Sequence, residues 1–208
     1  MSNNPSIVLV DYGVGNTYSV SNAIRYLGYK KIRISEQEQH IREADALILP
    51  GVGAFDEAAR NLRERKLHLI LGEAVLVQKK PILGICVGMQ LLAEGSEENG
   101  WHEGLNWIPG KVKKLVLPAA FSVPQVGWNN VFLQQKDPLF TRTSENPNFY
   151  FDHSYHFETT PAYRMAWCDY GMEVTAAVHR DNIFGVQFHP EKSQSSGLKL
   201  FRGFFNAV

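Results

Sequence analysis

Three short runs of unbroken apolar residues, Ile7–Val10, 46–49 and 82–85, constrain the fold of this 208-residue chain more than any other feature. Each is too short for a buried helix and suits a strand covered on both faces. Each also stops at turn chemistry, in Asp11-Tyr12-Gly13, Pro50-Gly51-Val52-Gly53 and Cys86-Val87-Gly88. Pro50 is expected to break its strand sharply. Between the runs lie helical patterns: 19–27, closed by Gly28, and 55–78, with an interruption near Lys66. A further strand is expected at 31–34, followed by a polar segment, and helical character returns over 88–93. Strand and helix alternating in this way predict an α/β fold. Its central sheet should be mostly parallel with helices on both faces, and function should lie at the C-terminal strand ends.

Beyond Gly110 the texture changes. Segments 111–117, 149–153, 164–167, 174–179 and 183–188 read as strands separated by turn residues, which predicts a smaller mixed or antiparallel sheet. Residues 195–207 read as a closing helix. No repeat or Ser/Gly linker interrupts the chain, so 1–208 is expected to be a single domain.

Lys plus Arg equal Asp plus Glu at 21 each, so net charge is zero and nucleic acid is a poor candidate for the main partner. The two cysteines, Cys86 and Cys168, form no disulfide framework and no CxxC knuckle. The N-terminal MSNNPSIVLVDYG lacks the basic segment of a signal peptide, and no apolar stretch approaches the roughly 20 residues of a membrane span. A cytoplasmic location is expected.

The chemistry concentrates at Gly84-Ile85-Cys86-Val87-Gly88. This G-x-C-x-G, between an apolar run and a helical pattern, has the form of a nucleophile elbow, a strained turn that exposes the nucleophile. The flanking glycines avoid clashes with the next strand and with substrate. The following helix offers free N–H groups and a positive dipole end, both of which favour thiolate. The N–H of Val87 is placed to meet a developing oxyanion. The plainer alternative is a buried cysteine packed at a turn.

A base is available in Gly185-Val186-Gln187-Phe188-His189-Pro190-Glu191. Pro190 keeps His189 out of the helical region, and residues two apart on extended chain project to one side, so Glu191 is expected to reach the imidazole. Nucleophile, base and orienting carboxylate make a triad. Among the other histidines, His40, His68 and His102 are expected at the surface, while His153 and His156 are candidates to line a pocket. His179 has no assigned role. No zinc spacing, phosphate-binding loop or complete dinucleotide fingerprint occurs, so no metal or cofactor is expected.

Together, Pro50-Gly51-Val52-Gly53, Gly84-Ile85-Cys86-Val87-Gly88-Met89-Gln90 and His189-Pro190-Glu191 resemble the class I (triad) glutamine amidotransferases across nearly the whole chain. Within that class the chain is most similar to the glutaminase subunits of imidazole glycerol phosphate synthases. The segments carrying this are Asp11-Tyr12-Gly13-Val14-Gly15-Asn16, Leu49-Pro50-Gly51-Val52-Gly53-Ala54-Phe55, Gly127-Trp128-Asn129 and His189-Pro190-Glu191-Lys192-Ser193. The resemblance implies the class I glutaminase fold, with Cys86 as nucleophile, His189 as base and then acid, and Glu191 as its orienter. It implies oxyanion donors at Val52, Gly53 and Val87. Gln90, Glu98, Ser154 and Tyr155 would hold the substrate glutamine, and Asn16 and Lys192 would face a partner. Two departures stand out: Gln125-Val126 where the family usually shows His-Met, and Val87 where Leu is usual.

The implied reaction is hydrolysis of glutamine to glutamate and ammonia. The resemblance leaves no length for a synthase, so the ammonia is expected to pass to a separate (β/α)₈ cyclase subunit in a heterodimer of histidine biosynthesis. Related amidotransferase subunits that supply ammonia to a sugar-amidating synthase are the alternative. A cysteine hydrolase of γ-glutamyl compounds shares the elbow and base, but Gln90 and the 50–53 loop favour free glutamine. A non-catalytic module on this fold tends to lose its nucleophile or base, whereas all three triad residues stand here.

Overall fold

The computed structural model describes residues 4–207. The first half alternates as expected: β1 (Ile7–Val10), α1 (Thr17–Tyr26), β2 (Ile32–Ser35), α2 (Glu38–Glu43), β3 (Ala46–Gly51), α3 (Phe55–Glu64), α4 (Leu67–Gly72), β4 (Ile82–Cys86) and α5 (Val87–Gln90). The break near Lys66 is present, with Lys66 in the left-handed region at φ 57°. Helix α4 runs on into a π-helical turn over Glu73–Val77. Helix α2 falls in what reads as a polar loop, because its single buried side chain, Ile41, leaves almost no apolar periodicity to detect.

Two boundaries differ from expectation for local reasons. Strand β3 does not stop at Pro50 but continues to Gly51, paired with Cys86 of β4. Its β1 neighbour is matched only as far as Ile48, so Pro50 interrupts no ladder on that side. Helix α5 begins one residue early and ends after one turn. The carbonyls of Leu91, Leu92 and Ala93 accept instead from the backbone of residues 105–108, so the chain turns rather than winding on.

The second half supplies β5 (Gly95–Ser96), β6 (His102–Glu103), β7 (Lys111–Lys114), β8 (Gln125–Asn130), β9 (Phe132–Leu133), β10 (Asn148–His153), β11 (Tyr155–Glu158), β12 (Arg164–Asp169), β13 (Glu173–Arg180), β14 (Ile183–Val186) and α6 (Gln194–Asn206). The main sheet has the order β2-β1-β3-β4-β14-β13-β12-β9. The pairs from β2 through β14 are parallel, and those from β14 to β9 are antiparallel. A four-stranded sheet β11-β7-β5-β6 and a two-stranded ribbon β10-β8 complete the architecture.

Chain order and strand order together place the helices. The β1 to β2 crossover runs outward and the β2 to β3 crossover returns past β1. Right-handed connections therefore put α1 on one face and α2, α3 and α4 on the other. The strands between them are fully buried, with β1, β3 and β4 showing no exposed residue. One hydrophobic cluster runs from Ile7 through Phe205. Among the described residues no helix is long and apolar enough to cross a membrane.

Candidate active site

Three strands in the parallel part of the sheet end side by side. Register pairs Gly51 with Cys86 and Val186 with Ile85, so the 50–53 loop, the Cys86 turn and the His189 segment emerge together. Cys86 has φ 54° and ψ −112°, a backbone that a non-glycine residue rarely adopts. Its neighbours explain the two glycines. A Cβ on Gly88 would sit 1.8 Å from the Leu49 carbonyl oxygen of β3, and one on Gly84 would come 2.5 Å from the Gly88 oxygen. Any side chain at either position forces the elbow open. Val87, where Leu is usual, is almost wholly buried against the turn.

The imidazole of His189 is buried, and its Nδ1 lies 2.9 Å from Glu191 Oε1, a carboxylate whose side chain is 1% exposed. The pair is made by a turn and not by extended alternation. His189 itself is extended at φ −101° and ψ 96°, but Pro190–Lys192 form a 3₁₀ turn that swings Glu191 back. Proline suits this first helical position because its missing N–H would go unpaired there. A buried Ser193 fixes the turn: its hydroxyl donates to the His189 carbonyl at 2.6 Å and accepts from the Tyr150 N–H at 3.0 Å. Burial opposes charge on His189, yet hydrogen bonds to Cys86 and Glu191 outweigh it and raise its pKa above the usual imidazole value. With Nδ1 held by Glu191, the other ring nitrogen is left free of that carboxylate.

Beside these groups lies a cavity of about 270 Å³, the size of a small metabolite site. Val52, Gly53, Cys86, Val87, Gln90, Glu98, Ser154, Tyr155, His189 and Lys192 line it. Every residue expected at the site is therefore brought together except Glu191, which stands behind His189, and Asn16. The Asn16 side chain instead accepts from the Ser19 N–H at 3.4 Å and caps α1. Glu98 has a second tie, since its Oε2 accepts from the Phe55 N–H at the start of α3 at 2.8 Å.

Other lining groups were not marked by any motif. Pro124 and Asp152 join the wall, and the Asp152 carbonyl approaches Cys86 Sγ at 3.9 Å. His153 is a pocket residue as expected, whereas His156 is buried on β11 away from the cavity. Complete burial drives the His153 pKa down to about 4, so its ring is neutral near pH 7. The departure at 125–126 divides in two. Gln125 is buried beside His153, with Oε1 and ring Nε2 3.1 Å apart, while Val126 is 56% exposed. Two buried residues also escaped notice. The Tyr12 hydroxyl donates to the Pro50 carbonyl at 2.7 Å, and Gln187 lies against Cys86. Neither carries a nucleophile, base or metal signature, so only contact reveals them. His40, His68 and His102 are half-buried and bonded locally.

Comparison with known proteins agrees with this geometry. A family model described as glutamine amidotransferase class-I matches residues 8–208. An imidazole glycerol phosphate synthase subunit HisH 2 of Vibrio vulnificus (strain YJ016) is 47% identical over 97% of this chain and 94% of its own length. An imidazole glycerol phosphate synthase subunit HisH of Leptospira interrogans is 44% identical over 95% of this chain and 98% of its own. Among solved structures, a chain of PurLQS from Thermotoga maritima superposes with a TM-score of 0.73 at 17% identity, covering 98% of this chain and 98% of its own, which shows the shared fold.

Proposed function

The chain belongs to the class-I glutamine amidotransferase family, and from that premise we propose that it is the glutaminase subunit of an imidazole glycerol phosphate synthase, acting as one domain. The observation that carries the reading is a cysteine in a strained elbow sharing a cavity wall with a buried His–Glu pair. Relatives named as subunits of that synthase favour this pathway over the sugar-amidating alternative and bring with them a partner synthase subunit.

In the proposed reaction the Cys86 thiolate attacks the carboxamide carbon of glutamine and the carbonyl electrons move to oxygen. N–H groups at Val87 and on the Val52–Gly53 loop receive that oxyanion. His189 gives its proton to the departing nitrogen, ammonia leaves, and a γ-glutamyl thioester remains on Cys86. The now neutral imidazole takes a proton from water, which attacks the thioester and releases glutamate. Glu191 stays ionised, orients the ring and offsets its positive charge. Glu98 and Gln90 supply acceptors suited to the substrate ammonium, and Ser154 and Tyr155, on the same cavity, would take the carboxylate.

The 51–54 segment is held at both ends, by Tyr12 on the Pro50 carbonyl and by Glu98 on the Phe55 N–H. Between them Gly53, at φ +93°, leaves a short stretch free to reorient one peptide N–H. Loss of one oxyanion donor costs about 10²–10³ in rate. A docked partner that sets this segment therefore switches turnover. We assign that partner as a (β/α)₈ cyclase, with Lys192 at the cavity mouth and Asn16 on its side. Exposed Trp128 and Val126 lie on the neighbouring ribbon. Ammonia released under such a cover reaches the acceptor before it is protonated by bulk water. The products are imidazole glycerol phosphate and aminoimidazole carboxamide ribotide.

The test is Cys86→Ala in the assembled complex. Glutamine-dependent synthesis should fall by at least about 10⁴-fold, as expected for loss of a covalent nucleophile, while the partner still makes product from ammonium salts. Glutamine-dependent synthesis that survives the substitution would sink the proposal.

A further inference from the structure

Gln187 is fully buried at the end of β14, and its backbone N–H donates to the Ala176 carbonyl at 2.9 Å. Its side chain belongs to a short relay. The Gln90 Nε2 lies 3.0 Å from the Tyr155 carbonyl oxygen and 3.0 Å from Gln187 Oε1, while Gln187 Nε2 lies 3.7 Å from Cys86 Sγ. The orientation of both amides follows from the first contact. A backbone carbonyl can only accept, so the NH₂ end of Gln90 must face Tyr155. That nitrogen then needs an oxygen from Gln187, which turns the Gln187 NH₂ toward sulfur. Reversing either amide would set two NH₂ groups, or two oxygens, against each other.

The sulfur meets opposite neighbours. On one side the Asp152 carbonyl, 3.9 Å away, suits an S–H donor and repels a thiolate. On the other side Gln187 presents only donors. At a sulfur this buried, a hydrogen bond to an ionised group is among the stronger ones available.

We infer that Gln187, held by Gln90, positions the Cys86 sulfur as a hydrogen-bond acceptor and so sets how readily it attacks. Gln90 lines the cavity, so the residue that meets substrate is one bond from the residue that steadies the nucleophile. The inference rests on reading Cys86 as the nucleophile, and it gives Gln187 a role that no triad logic requires.

Gln187→Met keeps the volume and removes the donor. Two readouts decide. One is the rate of iodoacetamide addition to Cys86 across pH 6–9, followed by intact mass with Cys86→Ser as the blank for Cys168. The other is glutamine turnover in the complex, with ammonium-driven synthesis reporting that the complex is intact. Alkylation at neutral pH should slow by about tenfold and its pH profile should move to higher pH. The kcat should fall by roughly 10²-fold, the scale of one lost donor, with KM within about threefold. An alkylation profile and kcat equal to the parent's would overturn the inference. If Gln187→Met does not assemble, Gln187→Glu keeps the oxygen that Gln90 needs and sets a carboxylate against the sulfur. It is judged by the same two readouts, with larger losses expected. A mistaken nucleophile is seen separately, because Cys86→Ser would then retain turnover.

Discussion

Two histidine–carboxylate pairs stand at opposite ends of the same antiparallel hairpin, and they do different things. At the end of β14, His189 Nδ1 lies 2.9 Å from Glu191. At the end of β13, His179 Nδ1 lies 2.7 Å from Asp137, with its ring stacked 4.1 Å from Phe184. Both carboxylates are buried and both imidazoles are pushed toward the charged form. The difference is the second ring nitrogen. That of His179 is taken by the Asp181 carbonyl at 2.6 Å, so both its nitrogens face acceptors and the charged form of the ring is favoured. That of His189 is left for a sulfur beside a cavity. Only the second has a ring nitrogen open to a reacting group. Pairing makes a histidine basic, and an open partner makes it useful.

Four measurements press on this contrast, beginning with the largest effect. Glu191→Gln leaves the shape but places an amide where a carboxylate offset the imidazolium. Glutamine turnover should drop by roughly 10²–10⁴-fold, the range seen when a triad carboxylate is neutralised. The matching change, Asp137→Asn, should leave kcat within about twofold; a comparable fall there would erase the distinction between the two pairs.

Acid should act next, through His153 beside the active pair. Its folded pKa of about 4 lies below the unfolded value of 6.5, so its neutral form stabilises the fold fully above pH 6.5. That contribution is lost as pH falls from 6.5 through 4, and amounts to about 3 kcal/mol at 1.36 kcal/mol per unit. Chemical denaturation at pH 7 and pH 4 measures it, and His153→Phe should flatten that limb.

The closed pair titrates with the opposite sign. Burial opposes charge on His179, but the Asp137 hydrogen bond and the Asp181 carbonyl raise its pKa above the unfolded value. Its contribution is present below pH 6.5 and lost as pH rises through the raised folded value. Asp137→Asn should cost about 1–2 kcal/mol at pH 6, a charged hydrogen bond's worth, and less at pH 10. In Tm the smallest effect is this one, at about 2–4 °C per kcal/mol for a chain of this size. An Asn variant that melts with the parent at pH 6 would show the His179 knot to be idle.

Much of this could be read from residues in order. The apolar runs of β1, β3 and β4 identified buried parallel strands because such strands need no alternation. The elbow glycines were legible because a backbone-to-backbone approach of this kind admits nothing larger. Legibility failed where a residue's meaning lies in its neighbour. Helix α2 has one buried side chain and so no period. Glu191 was assigned to the right partner by the wrong path, since a turn and not an extended strand carries it there. Gln187 and Tyr12 are ordinary letters in the sequence, and only the paired ends of β1, β3, β4 and β14 show what they touch. Asn16 likewise shows only in the structure that its side chain caps the first turn of α1.

The sequence by itself determined the alternating sheet and the kind of chemistry, because steric exclusion and hydrophobic period are written locally. The tertiary structure alone decided which of two similar histidine pairs has a ring nitrogen open to a reacting group and which amide faces the sulfur. Those are properties of the space around a group. The chain supplies that space from residues a hundred positions away.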